Sequence, residues 1–166
     1  MKAQEVAIPE KAIPTLHLQK ILVPIDFSTP CNKAFKYAVG FARQFGSHIV
    51  MIHVVEPAAA VDKELLAGEG TPRTQNEAAL AEEKLQVLAA ASPRDGSLHI
   101  TSRIRRGVPT HEIVKAAEEL DVDLIIMATH GLRAWKHFGL GSTADCVARA
   151  APCPVLVVRE REREFV

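Results

Sequence analysis

Apolar residues follow two alternating rhythms along this chain. Short, nearly unbroken runs have the length of strands buried on both faces: Ile21 to Ile25, His48 to Val55, Val122 to Ala128 and Val155 to Val158. Between them apolar positions recur at helical spacing. Ala34, Ala38, Phe41, Ala42 and Phe45 form one such set, Leu80, Leu85 and Leu88 a second, and Ile113, Val114, Ala117 and Leu120 a third. A short helical pattern follows near 143–151, and Leu98 to Ile104 alternates weakly, as an edge strand does.

The punctuation agrees with this reading. Thr29 before Pro30 predicts a helix N-cap with proline in the first position, and Gly46 predicts the stop. Thr74-Gln75-Asn76-Glu77 fits a capping box for a helix that ends at Ser92-Pro93. Residues 57–73, with Gly68, Gly70 and Pro72, read as a long loop, and Gly107-Val108-Pro109 opens the third helix. Strands alternating with helices mean right-handed β-α-β units, hence an α/β fold: a single doubly wound sheet with helices on both faces. The expected organisation is a flexible arm over 1–18, one domain over 19–160 and a charged tail over 161–166.

Composition narrows the function. Twenty basic side chains balance twenty acidic ones, which argues against a sequence-independent nucleic-acid binder. No apolar run is long enough to span a membrane, and the first 17 residues lack the apolar stretch of a secretory signal. Cys31, Cys146 and Cys153 are odd in number and have no metal-like spacing, so they read as reduced thiols of a cytoplasmic protein. His48, His53 and His99 fall in strand patterns with no shared face for a metal. Arg103, Arg105 and Arg106 read as charges guarding an edge strand.

The candidate chemistry follows the fourth strand. Ala128-Thr129-His130-Gly131 is followed, after nine residues, by Gly141-Ser142 just ahead of a helix. Strand, glycine-marked loop and helix N-terminus together present backbone N–H groups and a positive dipole end to an anion, here a nucleotide phosphate. His130, Arg133, Lys136 and His137 add positive charge, and Ser142 also reads as an N-cap with Asp145 in capping-box register. Gly139 to Ala144 spells G-x-G-x-x-A, but no strand precedes it, and no P-loop occurs.

Taken together, these segments resemble the universal stress protein family from Lys20 to Arg159. The resemblance is carried by Ile21 to Ser28, Ile52-His53-Val54, Gly107-Val108-Pro109, the glycine loop and Pro152 to Val158. It implies a five-stranded parallel sheet of order 3-2-1-4-5, with strands one and four adjacent at the switch point where such sheets bind ligands. It further implies a cytoplasmic module that binds ATP, with Mg or Mn, in stress response or signalling. Asp26 would accept from the adenine amino group, with Pro24, Ile25 and Val54 around the base. Met127, Ala128, His130, Gly131, Arg133, Gly141, Ser142 and Thr143 would complete the site toward the phosphates. Ala128 stands where ATP-binding members carry the first glycine of the loop.

Binding rather than turnover is expected, since no carboxylate–metal constellation is present; slow hydrolysis would fall to His130. Two alternatives remain open. One is a ligand-free dimeric interaction protein in which Ala128 marks the loss of nucleotide. The other is a switch-point enzyme for another adenylate-containing compound. In the implied strand order the last strand is an edge, and Val155, Leu156, Val157 and Val158 lack protective charge. A homodimer through that edge is therefore expected.

Overall fold

Strand and helix alternate through the whole computed structural model, which describes residues 16–56, 72–92, 98–129 and 141–160. The order is β1 (Lys20–Pro24), α1 (Thr29–Phe45), β2 (His48–Val55), α2 (Pro72–Ala90), β3 (His99–Arg106), α3 (Pro109–Leu120), β4 (Leu124–Ala128), α4 (Ser142–Ala150) and β5 (Val155–Val158). The five strands form one parallel sheet in the order β3-β2-β1-β4-β5, as the resemblance implies. Residues 1–15 of the expected arm, residues 57–71 of the expected loop and the tail 161–166 lie outside the described residues.

Alternating side chains of the central strands go to opposite faces. Ile21 and Val23 of β1 pack with Ala34, Ala38 and Ala42 of α1 on one side. Leu22, between them, packs with Ile113 and Ala117 of α3 and Val147 of α4 on the other. Both cores exclude water almost completely, with Ile21, Leu22, Ile125 and Ile126 at 0% exposure. Continuous apolar runs were the sequence signal of this double burial.

Several boundaries differ from the sequence reading, each for a local reason. The cap of α1 is Ser28, not Thr29: Ser28 is extended (φ −77°, ψ 159°), and its Oγ accepts the Cys31 N–H at 3.3 Å. Gly46 ends the helix as expected, in the left-handed region at φ 69°. Helix α2 begins at Pro72, two residues before Thr74, because a fixed proline φ suits the first helical position. Leu80 is exposed, whereas Ala81, Leu85 and Leu88 define the buried stripe of α2. Gly141 caps α4, and Ser142 is its first helical residue rather than its cap.

His48 and His99 do share a face. They are in register on β2 and β3, with ring centroids 4.1 Å apart. His48 Nε2 also lies 2.9 Å from Thr101 Oγ1. Partial burial lowers the His48 pKa, and His99, Lys20 and Arg103 lower it further. The folded state therefore favours neutral His48, so its share of stability is present above about 6.5, the ordinary histidine value, and is lost as pH falls from there through the lowered pKa of the folded state. His48→Gln is expected to flatten the decline of the urea midpoint between pH 7 and 5. An unchanged slope would assign the acid sensitivity elsewhere.

Candidate functional site

All five strands run the same way, so their carboxyl ends share one edge of the sheet. β1 and β4 are neighbours there, with Ile21 opposite Leu124 and Leu22 opposite Ile125. The chain leaves β1 toward α1 and β4 toward α4, which opens a crevice between the two connections. Pro24, Ile25 and Asp26 stand at the end of β1, Val54 at the end of β2, and Met127 and Ala128 at the end of β4. Gly141, Ser142 and Thr143 form the N-terminus of α4 on the same edge. His130, Gly131 and Arg133, with Lys136 and His137, lie outside the described residues.

The two helix N-termini flanking the crevice differ. At α1 the first turn is closed from within. Asp26 Oδ1 accepts the Ser28 N–H at 2.9 Å and the Ser28 hydroxyl at 2.6 Å, while Ser28 caps the helix. At α4 the cap is a glycine, which has no side chain to offer the turn. Asp145, the acidic residue of that first turn, is engaged by Arg149 at 3.0 Å. Among the described residues the Ser142 and Thr143 N–H groups are therefore left without a capping side chain, at the positive end of the helix.

Two backbone bonds fix the approach to α4. The Thr129 N–H donates to Val158 O at 3.0 Å, and the Gly141 N–H donates to Thr129 O at 2.8 Å. Thr129, only 6% exposed, thus ties the end of β4 to the start of α4. Ala128 is a regular strand residue opposite Val158, and its side chain packs against the α1-side core. Phe27 and Asp121 are the non-glycine residues with positive φ among those described, so alanine at 128 brings no backbone strain.

Some expected site residues are already committed. Ile25 is buried at 3% exposure; its N–H donates to Ile52 O at 2.8 Å, and its carbonyl accepts from His53 Nδ1 at 2.7 Å. A carbonyl only accepts, so Nδ1 of His53 carries the proton. Met127 is 5% exposed and belongs to the α3–α4 core. Asp26 bonds to Ser28, yet a carboxylate offers about four acceptor directions, enough for a further donor.

Sequence reasoning passed over the arrangement around Phe27. Its backbone is left-handed at φ 62°. Its ring lies 4.8 Å from the His53 ring, and Lys84 of α2 sits over it at 5.3 Å. A bulky residue in this region is strained by about 1–3 kcal/mol and persists only where surroundings hold it. Here it turns the chain between β1 and Ser28, which sets the direction of Asp26. No sequence signal marks a left-handed phenylalanine. Nearby Cys31 is no nucleophile: burial pushes its pKa up to about 12, and its Sγ donates to Pro24 O at 3.4 Å.

Relatives extend the comparison. The chain is 34% identical over 148 residues to a universal stress protein of Methanocaldococcus jannaschii, MJ0531, covering 88% of this chain and 85% of that one. A putative universal stress protein of Staphylococcus haemolyticus is 31% identical over 89% of this chain and 88% of its own. Among solved structures, the protein MJ0577 superposes with a TM-score of 0.71 at 29% identity, covering 89% of this chain and all of that one. UspA from Lactobacillus plantarum gives 0.69 at 26% identity, over 87% and 100% of the two chains. The Universal stress protein family matches residues 17–159, and the chain belongs to that family.

Proposed function

We propose that the chain binds ATP at the carboxyl edge of the sheet, as a nucleotide-dependent stress or signalling module rather than a turnover enzyme. The observation that carries this reading is the N-terminus of α4, which no described side chain caps, on the same edge of the sheet as Asp26. The phosphates would lie against the N–H groups of Ser142 and Thr143, with Gly131 as a further contact and His130 and Arg133 adding positive charge. Asp26 would accept from the adenine amino group, and Val54 would flank the base. Two proteins of the same fold support an adenine ligand. One is a universal stress protein in complex with cAMP, at 20% identity and a TM-score of 0.63. The other, from Archaeoglobus fulgidus, is in complex with dAMP, at 16% and 0.54.

Among the described residues no group of three or more His, Cys, Asp or Glu could hold a metal. Magnesium or manganese would be held chiefly through the nucleotide phosphates, as is usual for these ions. The three cysteines are free thiols, which suits the cytoplasm. Among the described residues no helix is long and apolar enough to cross a membrane. Homodimerisation through β5 belongs to the same reading.

The purified chain is expected to release an adenine nucleotide on heating, identified by chromatography. Nucleotide-free protein that also gives no calorimetric signal with millimolar ATP would overturn the proposal in favour of a ligand-free interaction protein.

A further inference from the structure

The edge of the sheet opposite β5 is built differently. Among the described residues β3 pairs with β2 alone, leaving its other side open. The Gly107 N–H donates to Val55 O, and this fixes the phase of the strand. Odd-numbered residues of β3 aim their main chain at β2. Even-numbered ones, Ser102, Ile104 and Arg106 among them, aim N–H and C=O outward. Those outward groups open onto a groove of about 550 Å³, floored by Ser102 to Arg106 and walled by Glu82 of α2 and Glu112 of α3.

The charges along this groove are unequal. Arg105 is held by Glu119, and by Glu112 at 3.6 Å. Arg103 and Arg106 are exposed, and no ion pair engages either among the described residues. Being three apart, they project from opposite faces of β3, one on each side of the groove. A strand added to this edge would present its side chains to both faces in the same alternation. Acidic residues three apart on that strand would each meet one arginine.

We propose that the free edge of β3 docks an extended acidic segment of another protein, which adds to the sheet as a sixth strand. A second copy of this chain does not suit the edge, since antiparallel β3–β3 pairing would set Arg103, Arg105 and Arg106 against themselves. The charges that deter self-pairing are the ones that select an acidic partner. Main-chain bonds would supply the common attraction and the arginines the specificity. The nucleotide site takes no part in this inference.

The full chain, isotopically labelled, can be titrated with a seven-residue peptide of valine and threonine carrying two glutamates three positions apart, with lysines at those two positions in the control peptide. The glutamate peptide is expected to slow amide exchange at Ser102, Ile104 and Arg106 and to bind more weakly as salt rises. The double change Arg103→Glu and Arg106→Glu should weaken it by about tenfold or more and reverse the preference between peptides. Ser102→Pro removes one outward N–H and should abolish binding, while Ser102→Ala, which loses only the hydroxyl bond to Glu82 at 3.1 Å, should not. Protection of the Arg103 and Arg105 amides reports whether the proline variant folds; if it does not, the charge reversal decides. The proposal is overturned if the edge amides are already protected without peptide, or if millimolar peptide leaves them unprotected. Binding indifferent to the charge reversal also overturns it.

Discussion

Valine in place of Gly131 is expected to abolish ATP binding, read by calorimetry and by loss of the nucleotide-induced change in Trp135 emission, with thermal stability unchanged. Thr129 is pinned on both sides, by Val158 and by Gly141, so the backbone two residues later starts from a fixed point. A phosphate oxygen must come within about 3 Å of a main-chain N–H to be bound, and a β-branched side chain there keeps it away. Hydrogen bonds to a charged group contribute about 1.5–3 kcal/mol each. Losing two near the middle of that range, about 4.5 kcal/mol, moves a micromolar dissociation constant beyond millimolar. Wild type and Gly131→Val binding ATP equally would remove the phosphates from this loop, and the assignment of α4 with them.

The second large effect concerns the other edge of the sheet. Val157→Pro is expected to turn a homodimer into monomers on sedimentation at micromolar concentration, while Val157→Ala leaves it dimeric. Pro154 accepts a bond from Ile125 of β4, and Val158 accepts one from Thr129 just after it. Even-numbered residues of β5 thus serve the sheet, and Val155 and Val157 turn their main chain outward. Proline at 157 deletes an outward donor and leaves the β4 ladder whole. Val158, at 1% exposure, is core, so changing it would test folding rather than assembly. A monomeric wild type, or a dimer indifferent to Val157→Pro, would end the idea.

The sequence carried most of the architecture because its signals are additive. Runs such as Ile21 to Ile25 and Val155 to Val158 sit at the right distances from helical patterns, so the element order was legible without contacts. The strand order, and with it the neighbouring of β1 and β4 at the switch point, came from the resemblance to the family and not from the periodicity. Capping was less legible. Thr29, Thr74 and Ser142 are all good capping residues, and which neighbour takes the role depends on where the preceding chain arrives. At Ser28 the deciding factor is the grip of Asp26, which itself depends on a left-handed Phe27. The stacked His48–His99 pair was hidden for another reason: strand register between β2 and β3 is a tertiary quantity that neither strand states alone. Leu80 misled because a helix buries one stripe, and a leucine one residue off it faces water.

The bond between Gly141 and Thr129 has a consequence for how this family can change. It closes the chain across residues 130–140 at a point that belongs to the scaffold. The entropy of closing such a segment grows only logarithmically, by about 0.6 kcal/mol for each doubling of its length. In closure entropy alone, a change of length between the two residues therefore costs the sheet little. Under the proposed reading, the phosphate end of the ligand can be re-addressed from this stretch alone, while Ile25, at 3% exposure, ties the base end to the core.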